Sequence, residues 1–113
     1  MSLKIPAIGT LRERVQLLNK VMSAEDEGGH GVSFDLLGTV WAKVSQNKGR
    51  GYFESDSRSA IVSHEVIMRF RDDFFAGDKI VYRGGELEVL SVEDFNGRKA
   101  YIRCACNEKT VVG

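Results

Sequence analysis

The chain has 113 residues, and its 16 Lys and Arg balance 16 Asp and Glu, so the formal net charge is zero. That balance argues against a duplex-DNA binder held by a large phosphate-neutralising field, and 42% hydrophobic with 28% charged residues argues against wholesale disorder. No apolar run nears the roughly 18 residues of a membrane helix, the opening residues lack the apolar core of a secretory signal, and two cysteines are too few for a disulfide scaffold.

These features lead us to expect one soluble domain over residues 1–113, in a reducing intracellular compartment and without a membrane partner. Residues 1–8 read as an N-terminal arm and residues 107–113 as a C-terminal tail.

Residues 10–22 read as the first strand. Leu11, Val15, Leu17 and Val21 fall on one parity, and Arg12, Arg14, Gln16 and Lys20 on the other. Leu11, Val15, Leu18 and Met22 also fit a 3.6-residue period, but the clean polar alternation at 12, 14 and 16 favours a strand. Residues 23–33 read as a glycine-rich acidic loop. Its Asp26-Glu27-Gly28-Gly29 run lacks the spaced ligands and terminal bidentate Glu of a calcium loop.

A second strand is expected over 36–45, with Gly38, Val40, Ala42 and Val44 on one face and Trp41 and Lys43 on the other. Residues 46–59 are polar, with Gly49 and Gly51, and read as a long loop with room for a helical turn after Gly51. Residues 60–71 read as a third strand, with Val62, His64, Val66, Met68 and Phe70 facing one way. The last third reads as a meander. A strand over 79–83 turns at Gly84-Gly85 into 86–92, and Asn96-Gly97 then announces a hairpin into 99–106. About six short antiparallel strands with two long loops make an all-β protein, a small antiparallel β-barrel.

Charge is segregated along the chain. Residues 1–22 carry a net +3, residues 23–35 a net −4 and residues 36–60 a net +2. Such alternation suits copies that pack against one another by complementary patches.

The chemistry-bearing residues are sparse. No Gly-x-Ser-x-Gly, His-Glu-x-x-His or Gly-x-x-x-x-Gly-Lys pattern occurs. His64 reads as a core or rim histidine, and His30 as a loop residue. Cys104-x-Cys106 puts two thiols on one strand face, where reduced thiols packing as small hydrophobes outweigh a zinc site. Trp41, Tyr82 and Tyr101 could serve as stacking platforms for nucleic acid, but Glu86, Glu88 and Glu93 adjoin them, and cross-strand or intersubunit ion pairs fit better. No catalytic residue, metal site or cofactor is expected. Two other readings stay open. One is an SH3- or OB-like binding module for nucleic acid or peptide. The other is an enzyme subunit using the Cys104, Cys106 and His64 face.

One further signal comes from five segments in order. They are Gly9-Thr10-Leu11-Arg12-Glu13-Arg14-Val15, then Asp26-Glu27-Gly28-Gly29, Val40-Trp41-Ala42-Lys43-Val44, and Ser63-His64-Glu65-Val66-Ile67-Met68-Arg69-Phe70-Arg71. The fifth is the pair Gly77-Asp78-Lys79-Ile80-Val81-Tyr82-Arg83-Gly84 and Glu86-Leu87-Glu88-Val89-Leu90-Ser91-Val92. Over residues 9–107 this pattern resembles the head–tail joining (head completion, or stopper) proteins of tailed bacteriophages. One segment departs from it: Lys48-Gly49-Arg50 is followed by Gly51, where the family often has Glu.

The resemblance implies a small β-barrel with long loops and a structural, non-catalytic part of the virion neck. It implies a ring of copies between portal or adaptor and tail, which closes the DNA exit channel after packaging and docks the tail. The expected partners are further copies of the chain, the portal or adaptor protein, a tail protein and packaged DNA through non-specific contact. The expected location is the virion neck, and host cytoplasm before assembly. On this reading Arg12 and Arg14 of one subunit meet Glu25, Asp26 or Glu27 of the next. Lys48, Arg50 and Arg58 of the long middle loop face the DNA channel.

Overall fold

Alternating side chains produce strands throughout the computed structural model of the protein, which describes residues 11–24, 30–46, 52–55 and 58–108. In chain order they are β1 (Glu13–Ala24), β2 (His30–Gln46), β3 (Tyr52–Ser55), β4 (Arg58–Ile61), β5 (His64–Arg69), β6 (Lys79–Tyr82), β7 (Gly85–Phe95) and β8 (Tyr101–Glu108). Six of them close an antiparallel barrel in the order β1-β2-β5-β8-β7-β6, and β3 with β4 forms a separate hairpin. Closure comes from β6 returning to β1 through Gln16–Val81, Leu17–Ile80 and Leu18–Lys79.

The inward parity of each strand fills the barrel. Val15 and Leu17 of β1 meet Ala42 of β2, Val66 and Met68 of β5, Ile80 of β6, Leu87 and Val89 of β7, and Ile102, Cys104 and Cys106 of β8. Phe74, from the connection between β5 and β6, is 2% exposed and packs into the same core. Each of the larger side chains contributes roughly 1.5–3 kcal/mol by leaving water. A second, smaller cluster packs apart from the barrel core, with Ile67 and Tyr101 on the outward parity of their strands. Leu11, just ahead of β1, packs with Ile67 of β5 and Tyr101 of β8, and Phe95 of β7 lies against them.

Several boundaries differ from the sequence reading, each for a local reason. The middle segment expected as a loop with a helical turn carries the β3–β4 hairpin, and residues 60–61 belong to it rather than to β5. The turn after β6 is Arg83-Gly84, not Gly84-Gly85. Both residues have positive φ (51° and 80°), and Tyr82 pairs with Gly85 across them. Positive φ at both central positions is what a two-residue turn needs to match strand twist. Asn96 and Gly97 do turn the chain, at φ 67° and 66°, but the connection runs over five residues because Phe95 pairs with Tyr101. Strand β8 continues through Glu108, two residues into the expected tail.

The largest difference is at the acidic loop. Strands β1 and β2 extend into it from both sides, pairing as far as Ala24 with His30. Beyond Leu18, β1 has only β2 for a described partner, and β2 reaches β5 only at Ala42. The β1–β2 hairpin therefore projects from the barrel as an arm of six residues per strand, about 20 Å at the usual strand rise. The molecule measures 53 × 29 × 29 Å.

A β-bulge sets which way the arm faces. Leu17 pairs with Gly38 but Leu18 with Leu36, so Leu37 is the extra residue. Leu37 turns toward the core, and Leu36 goes to the outside, 62% exposed.

The arm is anchored at its base by Asp78, which is 4% exposed. Its carboxylate accepts hydrogen bonds from the Lys20 amide (2.8 Å), the Phe75 amide (2.8 Å) and the Asn19 side-chain amide (2.9 Å). Gly77, at φ 96°, makes the bend that aims it, with the Lys20 side chain 3.7 Å from where a Cβ would stand.

Candidate functional site

The interior offers packing rather than chemistry. Burial pushes the Cys104 thiol up to about 12 and raises Cys106 as well, with the neighbouring thiol adding to the second shift. A neutral, fully buried thiol is a poor nucleophile and a poor metal ligand. His64 stands at the start of β5, opposite Cys106. Its Nδ1 lies 2.9 Å from the Ser63 hydroxyl, and its ring meets Tyr82 edge-on at 6.2 Å. Among the described residues no group of three or more His, Cys, Asp or Glu side chains could hold a metal ion.

The outer surface is more distinctive. Register pairs Arg14 of β1 with Trp41 of β2. The guanidinium of Arg14 sits 5.1 Å from the centre of the indole, a cation–π contact, while Trp41 remains 53% exposed. Two adjoining clefts of about 500 and 390 Å³ flank the indole and share Leu11, Trp41 and Arg69. Arg12 borders the first, and Val40, Phe70 and Arg71 border the second. Arg71 is fixed by Asp73, with Nε 2.6 Å from one carboxylate oxygen. That hydrogen bond raises the Arg71 pKa and lowers that of Asp73. An exposed Trp on an apolar floor rimmed by arginines has the composition of an interface anchor.

The arm presents a second apolar surface. On its outward face Leu18 stands opposite Leu36, Lys20 opposite Phe34, and Met22 opposite Val32. Met22 and Val32 are 62% and 52% exposed. Lys79 of β6 holds its ammonium 4.1 Å over the Phe34 ring, joining this face to the barrel wall. Elsewhere the outside is knitted by cross-strand ion pairs, as expected. Arg103 reaches Glu93 at 2.9 Å and Glu65 at 4.0 Å, Lys79 reaches Glu86 at 3.2 Å, and Arg83 reaches Glu13 at 2.9 Å.

Of the site residues singled out in the sequence, Arg12 and Arg14 lie together on the exposed outer face at the start of β1. Glu25, Asp26, Glu27, Lys48 and Arg50 lie outside the described residues. The backbone of Arg58 opens β4, paired with Ser55. Sequence reading missed the convergence of Leu11, Arg69 and Phe70 on Trp41. With Trp41 they lie on three separate segments, and only the staggered pairing of β1, β2 and β5 brings them together.

The comparisons with known proteins agree with this architecture. The family profile described as "Phage head completion protein" matches residues 6–109. A search of curated proteins returns no match. Among solved structures, the fold is similar to the solution structure of protein SF1141 from Shigella flexneri 2a, with a TM-score of 0.68 at 19% identity over 92% of this chain and 97% of that one. It is also similar to a chain in the virion of a native gene transfer agent particle, with a TM-score of 0.66 at 17% identity over 89% of this chain and 96% of that one. At these identities the two likenesses speak for the fold alone.

Proposed function

The chain belongs to the phage head completion protein family, a structural family of the phage head, and on that premise we propose that it is a neck protein of the virion. Copies form a ring between the portal or adaptor and the tail, close the DNA exit channel after packaging, and dock the tail. The subunit waits in the host cytoplasm before assembly and catalyses nothing.

The observation that carries this reading is the separation of two complementary regions on one continuous strand. Arg14 lies near the start of β1 and Ala24 at its end, beside the acidic Glu25, Asp26 and Glu27 in sequence. Ten residues of strand span about 33 Å. One subunit does not join its own two ends, whereas two copies side by side do. Contacts of that kind, one patch meeting a different patch, close into a ring when the rotation allows it.

Strand β2 ends at Gln46, at the end of the barrel opposite the arm, and Lys48, Arg50 and Arg58 follow it in sequence. Repeated around a ring, these cations make a positive collar for DNA phosphate, although each subunit is neutral.

Two measurements test the reading. Arg14→Glu weakens assembly, and the loss shrinks as salt is raised; assembly unchanged at low salt contradicts the pairing. Removing residues 48–54 makes filled heads leak DNA, whereas heads that stay sealed contradict the channel role of this segment.

A further inference from the structure

We infer that Phe75 of one copy of the chain seats in the cleft on the β5 side of Trp41 of a second copy. The inference rests on the ring reading above and adds a contact to it.

Three observations carry it. First, Phe75 is held outward on a fixed turn. Its side chain is 60% exposed, while its neighbour Phe74 is buried in the core. The Phe75 carbonyl accepts the Asp78 amide at 3.1 Å, and the Phe75 amide donates to the Asp78 carboxylate at 2.8 Å. Gly77, at φ 96°, takes the third position of this turn, where positive φ favours glycine. A ring presented in this way loses little freedom when it is covered.

Second, the cleft matches it in chemistry. Leu11, Val40, Trp41 and Phe70 give an apolar trough of about 390 Å³, and the exposed indole offers an aromatic partner for the Phe75 ring. No carboxylate among the described residues borders it. Arg69 stands exposed at its edge, whereas the charge of Arg71 is taken up by Asp73. Asp72, exposed three residues ahead of Phe75, supplies the charge opposite to that of Arg69.

Third, knob and cleft are apart on the molecule. Phe75 borders neither cleft beside its own Trp41. It stands near β7, where the Gly77 amide donates to the Val89 carbonyl at 2.9 Å and Leu90 and Val92 line a hollow with the Phe75 ring. In the closed order β1-β2-β5-β8-β7-β6, two strands separate β7 from β2 on either route. Each copy therefore offers one knob and one cleft on different walls, the arrangement of a heterologous contact.

The test is photochemical capture. Full-length chains carrying p-benzoylphenylalanine at position 75, a residue close in shape to Phe, are mixed with isotope-labelled unmodified chains and irradiated. The inference predicts a covalent dimer of one labelled and one unlabelled chain, in which position 75 is joined to the peptide that holds Trp41 or Leu11. Phe75→Ala and Trp41→Ala, both at exposed positions, each lower association about tenfold or more with the far-ultraviolet dichroism spectrum unchanged. Combined, they lower it no further than either one alone. Asp72→Arg weakens association as well, and Arg69→Asp in the same chain restores it.

Self-association by light scattering with the cross-link at another surface, or with none, overturns the inference and leaves the ring reading intact. A link from position 75 only to a different virion protein in assembled particles overturns it too. A chain that is monomeric at every concentration overturns both.

Discussion

Leu17 and Met22 stand five residues apart on β1, yet Leu17 is fully buried and Met22 is 62% exposed. The difference is in the face each presents and in the neighbours, not in the residues: their odd spacing puts Leu17 on the inward parity and Met22 on the outward one. At Leu17 the strand has β2 on one side and β6 on the other, so its inward face looks into a closed barrel. At Met22 only β2 remains among the described residues, and the side chain stays exposed. The barrel half of β1 is a stability element, and the arm half is a surface. An apolar side chain in the first holds the subunit together; in the second it is left facing solvent.

Substitution at the two sites sharpens that contrast most strongly. Leu17→Ala, which opens a cavity in a filled core, destabilises the subunit by about 2–5 kcal/mol in urea unfolding. Met22→Ala changes the same measurement by no more than about 0.5 kcal/mol. Comparable losses at both positions break the distinction.

The junction between the halves comes next. Asp78→Ala strips three donors of their buried acceptor and costs about 2–3 kcal/mol. Its particular signature is hydrogen exchange. The Lys20 and Phe75 amides lose protection, while the Val66 and Ile80 amides of the closed wall keep theirs. Uniform loss of protection shows that arm and barrel unfold as one unit.

The thiols give the interior a pH signature that the arm lacks. Cys104, with an ordinary value of 9.0, is raised to about 12 in the folded chain, and Cys106 is raised too. From pH 9 upward the unfolded chain loses thiol protons that the folded chain keeps. Stability therefore falls as pH rises, by up to about 1.4 kcal/mol per pH unit for each thiol. Cys104→Ala with Cys106→Ala flattens that fall in a series of urea midpoints. An identical slope in the double variant contradicts thiol burial. The smallest effect belongs to the exposed pair network: Arg103→Ala costs about 0.2–1 kcal/mol, less at high salt.

The same contrast explains what was legible in the sequence. Closed-barrel segments announced themselves. Arg12, Arg14 and Gln16 alternate against Val15 and Leu17, and Val66, Met68, Ile102, Cys104 and Cys106 fall on the parities that fill the core. The arm did not. Gly28, Gly29 and Gly31 favour a loop over residues 23–33 in the sequence, whereas Ser23, Ala24 and residues 30–33, the described part of that segment, pair as strands. The bulge at Leu37 then reversed the parity, so counting alternate residues back from Val40 through Gly38 puts Leu36 inside when it lies outside.

The candidate site was half visible for a related reason. Arg12, Arg14 and Trp41 could be marked as exposed and suggestive from local pattern. Leu11, Arg69 and Phe70 join them only through register across β1, β2 and β5, which no single segment encodes. The reading of residues 46–59 as a loop missed the pairing of Tyr52–Ser55 with Arg58–Ile61, which bond to each other rather than to the barrel and have little apolar periodicity to betray them.

The account as a whole stands on the outer surfaces closing a ring of copies. Native mass spectrometry of the purified full-length chain over a concentration series measures this directly. The account predicts one discrete oligomer of fixed subunit number, which Trp41→Ala shifts back to monomer. A monomer throughout, or an open-ended series of oligomers with no preferred size, contradicts it.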